Sequence, residues 1–173
     1  MTVFQDLPDS ARLDYLPPSA HLDDAVYSVY SEDENMRFIP FLCRMAPDDW
    51  AARRNTHRAQ MINGEGAFFD IVERSSGAVI GTSGFRTIDL AAGVCEWGIV
   101  LNTASQGRGY CKEVHDACMR WAAAQGLTKS TAATWESNAR MNELLVRYGW
   151  RYTETRTNDY GVWREYVFDI VQQ

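Results

Sequence analysis

Two glycines, Gly107 and Gly109, stand between an apolar strand that ends near Leu101 and an amphipathic helix that continues through Trp121. The first N–H groups of a helix have no partner within it, and the positive end of the helix dipole lies behind them. Because glycine has no Cβ, an oxygen atom of a ligand can come close to such a backbone. The spacing therefore predicts a cradle for a phosphate or diphosphate group.

The residues around these glycines discriminate among the known kinds of phosphate cradle. The dinucleotide fingerprint requires a third glycine, and Lys112 occupies that position. The chain has no Gly-Lys-Ser/Thr sequence, so a P-loop is excluded. What remains is a Gln-x-x-Gly-x-small pattern formed by Gln106, Gly109 and Cys111. An ordinary strand–helix turn with incidental glycines is the alternative interpretation.

The composition limits the partners of the protein. The 173 residues suit one domain, and they carry a formal net charge of −6. Nucleic-acid binding needs clustered lysines and arginines, so the acidic balance argues against nucleic acid as a partner and suits a cationic substrate such as an amine.

The cysteines and histidines predict neither a disulfide framework nor a metal site. The four cysteines have no C-x-x-C spacing and lie among apolar neighbours, which is typical of reduced thiols in an intracellular protein. The three histidines show no metal-ligand spacing. No apolar run approaches membrane-spanning length and no signal peptide opens the chain, so we expect a cytoplasmic protein without a membrane partner.

Apolar periodicity and turn residues predict the elements that position the cradle. Their order is βααβββαβαββ, with no internal repeat and no linker. This order predicts a single α/β (α+β) domain over residues 1–173, with a mixed, largely antiparallel sheet of six to seven strands and helices on both faces. Strands are expected at about 12–16, 67–73, 79–88, 93–101, 131–135, 150–157 and 162–171, and helices at 21–30, 48–62, 107–126 and 138–148.

Several segments together resemble the GNAT N-acetyltransferase superfamily. The Gln106–Cys111 pattern is similar to its coenzyme A motif, and Asn138–Trp150 resembles its second signature, N-x-x-S/A-x-x-L-x-x-K-x-G-F. Asp33–Pro40 and the Gly77-x-x-Ile-Gly81 segment look like the branch of ribosomal-protein N-terminal acetyltransferases. The resemblance covers about residues 12–170 and implies transfer of an acetyl group from acetyl-CoA to a primary amine.

The resemblance also implies which residues hold the donor. In the family the fourth and fifth strands splay apart, and a free backbone N–H, here near Val100 or Leu101, would stabilise the oxyanion. Asn138 would hydrogen-bond the pantetheine, although Asn is also a good helix N-cap. The implied donor-binding set is Ile99, Val100, Leu101, Gln106, Gly107, Arg108, Gly109, Tyr110, Cys111, Lys112, Asn138, Met141 and Leu145.

The implied proton-transfer groups are incomplete. Family members often place a carboxylate on the strand beside the site as general base, and Glu96 occupies that strand; a purely structural carboxylate is the alternative. The family's usual tyrosine and serine positions hold Leu145 and Met141, which leaves the general acid unassigned. Cys111 could be a reactive thiol or simply a small residue in the Gly/Ala position.

The acceptor is less defined by the sequence. The acceptor groove is expected to involve residues 36–43 and the last hairpin around residues 160–163. The residues predicted to contact the acceptor are Phe38, Phe41, Trp135 and Tyr160. They suit a peptide or a flat ligand, and core packing explains them equally well. A non-catalytic acyl-CoA-binding module on the same fold is the alternative function, and either a monomer or a homodimer is compatible with the sequence.

Overall fold

The computed structural model describes Phe4 and residues 6–171. The strands are β1 (Leu13–Leu16), β2 (Ala67–Glu73), β3 (Val79–Asp89), β4 (Val94–Leu101), β5 (Lys129–Trp135), β6 (Arg151–Asn158) and β7 (Gly161–Asp169). The helices are α1 (Asp23–Tyr30), α2 (Pro47–Asn63), α3 (Tyr110–Ala124) and α4 (Ala139–Arg147). Three short 3-10 turns, at Ala20–Leu22, Pro40–Leu42 and Thr103–Ser105, complete the described elements.

The seven strands form one sheet in the order β1-β2-β3-β4-β5-β7-β6. All neighbours are antiparallel except β4 and β5, which run parallel because the crossover helix α3 connects them. The order βααβββαβαββ and the mixed, largely antiparallel sheet are therefore as predicted, and seven is the upper end of the predicted strand number.

Helices cover both faces of the sheet. The larger core lies under α3 and α4, where the apolar stripe of α3, including Val114, Cys118 and Trp121, is buried against β2, β3 and β4. The smaller core holds Val26, Met36 and Trp50 under α1 and α2. The sheet thus separates two helical layers, and side chains of β4 point alternately toward the one and the other.

Two predicted boundaries differ in an informative way. The helix expected from about Gly107 begins at Tyr110, because Gly107 and Gly109 adopt positive φ angles of 76° and 81°. The strand expected at 131–135 begins two residues earlier, at Lys129. The first difference leaves the cradle loop, residues 106–112, partly outside the helix and open to solvent.

Candidate active site

The strands β4 and β5 pair over only three residues and then diverge. The parallel register joins Val94 to Lys129, Cys95 to Ser130 and Glu96 to Thr131. Beyond that point β4 continues to Leu101 alongside β3, and β5 continues to Trp135 alongside β7. We call the wedge between the two strands the fork. Its mouth opens beside the cradle loop, which follows β4 in the chain.

Backbone direction shows which residues of β4 face the fork. Adjacent residues of a strand point their N–H and C=O groups to opposite sides. The carbonyl of Gly93 accepts from Thr128 N–H on the β5 side (2.8 Å), whereas Asn102 N–H donates to Ile80 on the β3 side (2.7 Å). By this alternation the backbone groups of Ile99 and Leu101 face the fork, and those of Val100 face β3.

A close approach of β3 fixes this part of β4. A Cβ at Gly81 would lie 2.0 Å from the carbonyl oxygen of Val100, so only glycine fits there. Ser83 Oγ donates to the carbonyl of Gly98 (2.9 Å) and accepts from the indole of Trp97 (3.1 Å). The edge of the fork is therefore held from behind by β3.

The cradle loop presents unpaired amides. The first backbone hydrogen bond of α3 runs from Glu113 N–H to the carbonyl of Gly109 (3.2 Å). Among the described residues, the N–H groups of Gly107 through Lys112 have no protein acceptor. A Cβ at Gly107 would meet no atom within 4 Å, so the space in front of this backbone is open. The geometry suits an anionic ligand.

The side chain of Arg108 is held at the cradle by a carboxylate. Its guanidinium pairs with Glu73 (2.8 Å), which also accepts from the hydroxyls of Tyr110 and Ser76. The hydrogen bonds from Ser76 and Tyr110 hold the pKa of Glu73 below its usual value, so it is ionised. Tyr110 is buried in the larger core. Its side chain therefore lies away from the open face of the loop, and only its backbone can serve the predicted donor site.

A second arginine reaches the cradle from outside the loop. Arg12 Nη1 donates to the carbonyl of Arg108 (3.0 Å), and its Nε donates to Glu113 (2.7 Å). Its guanidinium lies 4.4 Å from the ring centroid of Tyr110, and that of Arg108 lies 4.9 Å from it. Although burial alone would raise it, hydrogen bonds from Arg12 and Ser10 hold the pKa of Glu113 below its usual value.

Other predicted residues of the loop have partners within the protein. Lys112 Nζ pairs with Asp116 (2.6 Å), one turn further along α3. Burial raises the pKa of the Cys111 thiol, which lies against the hydroxyl of Tyr148. Cys111 is therefore a protonated, half-buried thiol, which favours the packing interpretation over the reactive one. All four cysteines carry free thiols.

The beginning of α4 closes the site from the other side. Asn138 Oδ1 accepts from Met141 N–H (3.3 Å) as the N-cap, and its Nδ2 donates to Thr134 Oγ1 (3.2 Å). Arg140 Nη1 donates to Gln106 Oε1 (2.9 Å), which connects α4 to the cradle loop. Leu145 was predicted to contact the donor, but its side chain is buried in the larger core at 2% exposure. Met141 is half-buried against the same core.

Glu96 lies where the fork begins, and strand alternation places its side chain on the face of the sheet opposite Trp97. A β-bulge on β3 places Arg86 and Thr87 opposite Glu96, and the Arg86 guanidinium forms an ion pair with the Glu96 carboxylate. The carboxylate is 30% exposed and can be reached by solvent. The arrangement permits proton exchange at the base of the fork.

The segments predicted to border the acceptor lie on both sides of the fork. Asn35, in the loop after α1, accepts from the N–H of Thr103 (2.8 Å), which ties this loop to the end of β4. On the other side, Trp135 packs edge-to-face on Trp163 with ring centroids 5.7 Å apart. Phe41 and Tyr160 are 69% and 86% exposed, and Phe38 is half-buried. The aromatic residues form two separate groups.

Comparison with known proteins gives the family. A model of the acetyltransferase (GNAT) domain matches residues 12–151. This chain belongs to the GNAT family. It is therefore an acetyltransferase, as the resemblance implied. A comparison with curated protein sequences found no match.

Solved GNAT structures share the whole fold at low sequence identity. A GNAT-family acetyltransferase from Bacillus anthracis has a TM-score of 0.77 and 18% identity, covering 94% of this chain and 97% of that one. The Salmonella typhimurium acetyltransferase that modifies the N-terminal serine of ribosomal protein L7/L12 has a TM-score of 0.82 and 14% identity, covering 94% of this chain and 97% of that one. The microcin C7 self-immunity acetyltransferase MccE, solved with acetyl-CoA and AMP, has a TM-score of 0.80 and 14% identity, covering 93% of this chain and 94% of that one.

The described residues show neither a metal-binding group nor a membrane-spanning helix. They contain no group of three or more His, Cys, Asp or Glu side chains that could hold a metal ion. None of the helices formed by residues 6–171 is both long enough and apolar enough to span a bilayer.

The sequence did not reveal four residues that shape the cradle. Arg12, Glu73, Glu113 and Arg140 approach it from the segment before β1, from the end of β2, and from the first turns of α3 and α4. Only Arg140 lay within a recognised motif. Arg12 and Glu113 are 101 positions apart in the chain, and no local pattern connects them.

Proposed function

We propose that this protein transfers the acetyl group of acetyl-CoA to a primary amine, either a protein N-terminus or a small amine such as an amine-bearing antibiotic. The observation that carries the proposal is the fork. It exposes backbone groups of Ile99 and Leu101 beside a loop with six unpaired amides. A thioester arm can thus bind along β4 while its diphosphate occupies the cradle.

The cradle would bind the diphosphate through the amides of residues 107–112. Because these amides lie at the N-terminus of α3, they meet an anion with the favourable end of the helix dipole. Arg108, half-exposed beside the loop, adds a positive charge. Gln106, at the start of the cradle loop, is held by Arg140 of α4, and Asn138 caps the same helix beside Thr134 of β5.

The reaction would take place at the fork. The acceptor amine attacks the thioester carbon, and the Leu101 N–H stabilises the developing oxyanion. Glu96 accepts the amine proton directly or through water. The thiol has an ordinary pKa of about 8.5, so its thiolate can leave without a dedicated acid. This agrees with the presence of Leu145 and Met141 where the family often has proton donors.

The acceptor class is supported by charge and by the structural relatives. The net charge of −6 and the carboxylate of Glu96 at the fork favour a cationic amine over an anionic acceptor. One structural relative acts on the N-terminal serine of a ribosomal protein. We propose a cytoplasmic protein that acts as a monomer or homodimer, without nucleic acid or membrane as partners.

The test is binding followed by a screen of acceptors. Calorimetry should detect stoichiometric binding of acetyl-CoA to the full chain. Thiol release should then be measured with peptides of different N-terminal residues, polyamines and amine-bearing antibiotics. Transfer to any of these amines supports the proposal. Tight binding without transfer over about pH 6 to 9 would instead favour the non-catalytic acyl-CoA-binding module.

A further inference from the structure

We propose that Arg12 is a positioning residue for the acetyl-CoA site, because it orients the peptide bond between Arg108 and Gly109. The inference rests on the proposed function, since it concerns the same donor site. It adds a residue that lies outside the cradle loop and outside α4.

The argument begins with the planarity of the peptide bond. The carbonyl of Arg108 and the N–H of Gly109 belong to one peptide unit, in which they point in opposite directions. Arg12 Nη1 donates to that carbonyl at 3.0 Å. The contact holds the carbonyl toward Arg12, and it therefore turns the Gly109 N–H away from Arg12, toward the side on which a ligand can accept it.

The peptide bond needs such a partner because of its neighbours. Gly107 and Gly109 have φ angles of 76° and 81°, and glycine can leave this conformation at little cost. Without Arg12, the peptide bond between Arg108 and Gly109 can rotate more freely. Binding of the ligand would then have to order the amides of the loop. A preorganised site avoids that loss of entropy.

Arg12 is itself fixed by three further contacts. Its backbone N–H and its Nε both donate to the Glu113 carboxylate, at 2.8 and 2.7 Å. Its guanidinium lies over the ring of Tyr110. Glu113 is only 14% exposed and accepts another hydrogen bond from Ser10 (2.8 Å). The planar guanidinium can make the carboxylate and carbonyl contacts at once, which an ammonium group cannot do in this geometry.

Glu113 has a second consequence for the ligand. A carboxylate in the first turn of α3 would repel a diphosphate bound at the same helix end. The Arg12 guanidinium, 2.7 Å from Glu113, neutralises it. The pair thereby orients the loop without adding net negative charge to it.

The experiment compares Arg12→Gln with Arg74→Gln in the full chain. Arg74 is a matched control, because it also pairs with carboxylates (Asp9 and Asp14) and supports the same segment, but it does not contact the cradle loop. The loss of one charge-assisted contact should weaken acetyl-CoA binding by calorimetry about five- to tenfold in Arg12→Gln. Arg74→Gln should bind within about twofold of wild type.

Kinetics and NMR separate positioning from a general structural role. In Arg12→Gln the KM for acetyl-CoA should rise, while kcat at saturating donor and the KM of the amine stay within about twofold. The Gly109 amide resonance of the free protein should shift in Arg12→Gln and not in Arg74→Gln. Arg12→Lys should remain at least about threefold weaker than wild type, since it restores charge without the planar geometry.

The outcomes distinguish this inference from the proposed function. If wild-type protein fails to bind acetyl-CoA, the proposed function is wrong. If wild type binds and Arg12→Gln binds equally well, or if Arg12→Lys recovers fully, the positioning role alone is overturned. Should Arg12→Gln fail to fold, Arg12→Lys decides, because it keeps the charge that neutralises Glu113 but cannot contact that carboxylate and the Arg108 carbonyl at once. Affinity equal to that of wild type in Arg12→Lys would contradict the inference.

Discussion

The hydroxyl of Tyr166, on β7, donates a 2.6 Å hydrogen bond to Oδ1 of Asn142 on α4. The amide nitrogen of Asn142 in turn donates to the carbonyls of Trp135, Glu136 and Asn138. Asn142 thus holds together the end of β5, the connection that follows it and the first turn of α4. Both side chains are buried, so water cannot readily replace the hydrogen bond between them.

We expect Asn142→Ala to destabilise the protein by roughly 1–3 kcal/mol, because it removes the acceptor of the buried Tyr166 hydroxyl together with three side-chain contacts to carbonyls, of which those of Trp135 and Asn138 keep a backbone N–H donor. Tyr166→Phe should cost only about 1 kcal/mol, since it removes one hydrogen bond. Urea unfolding monitored by tryptophan fluorescence measures both. Equal effects of the two substitutions would show that the three carbonyl contacts contribute little.

The cradle can be blocked by a side chain at Gly107. Gly107→Glu should abolish acetyl-CoA binding, because it brings a carboxylate to the space where the diphosphate would bind. Gly126→Glu is the control: Gly126 has a similar φ of 83°, also with open space around its Cβ position, but it lies at the other end of α3. Both variants should lose similar stability in thermal melts. If calorimetry finds intact binding in a folded Gly107→Glu protein, the diphosphate does not bind at this loop.

Asn138 separates capping from ligand binding. Asn138→Ser should keep the stability of α4, because serine caps a helix about as well as asparagine. It should weaken acetyl-CoA binding up to about tenfold if the longer amide also contacts the pantetheine. Melting temperature and calorimetric affinity are measured on the same sample. Lower stability with intact affinity would make Asn138 a structural residue only.

Glu96→Gln should reduce kcat at neutral pH by about 10²–10⁴-fold, the usual contribution of a general base. The deficit should shrink as pH rises, because the free amine then loses its proton without help. Glu154→Gln, which removes an exposed carboxylate on β6, is a suitable control. Turnover within about threefold of wild type at every pH would exclude Glu96 from proton transfer.

His57 should make the protein sensitive to acid. It stacks on Phe68 with ring centroids 3.8 Å apart, and burial, followed by Arg53, Arg54 and Arg58, lowers its pKa to about 3. In the unfolded chain the pKa is about 6.5, so on acidification below that value the unfolded state binds the proton first. Stability is therefore complete above about pH 6.5 and falls progressively toward pH 3.

The His57→Phe variant tests this effect. Phenylalanine can keep the stack and cannot bind a proton, so its stability should fall less between about pH 7 and pH 5 than that of wild type. His21→Gln, at an exposed histidine, is the control. Urea unfolding at both pH values gives the difference. Parallel losses in wild type and His57→Phe would assign the acid sensitivity to other groups.

The element order and the cradle could be predicted because their signals are local. Glycine spacing marked Gly107 and Gly109, and apolar periodicity marked α3 and α4. The same periodicity could not tell which apolar residues face the core and which face the site. The family resemblance placed Tyr110 and Leu145 at the donor, and the structure buries both side chains.

The fork was expected only from the family resemblance. Nothing in the sequences of β4 and β5 shows that their pairing stops at Glu96 and Thr131. The contacts of Arg12 and Glu73 with the cradle were also beyond prediction, since they depend on how distant segments meet. Residues that shape a loop from a distance leave no periodic pattern.

The three-residue ladder between β4 and β5 also divides the folding problem. Within β1–β4 and within β5–β7 all neighbouring strands pair antiparallel, but joining the two groups requires the crossover through α3. Such non-local strand pairing forms slowly during folding, and here only three residue pairs stabilise it. Trp97 on β4 stacks on Trp150, whose ring is tilted against that of Phe168 on β7, so the three rings bridge the two groups. We therefore expect the contacts among these rings to form late in folding. Pulsed hydrogen exchange should show the amides of both groups of strands protected before Trp97 reaches its native fluorescence.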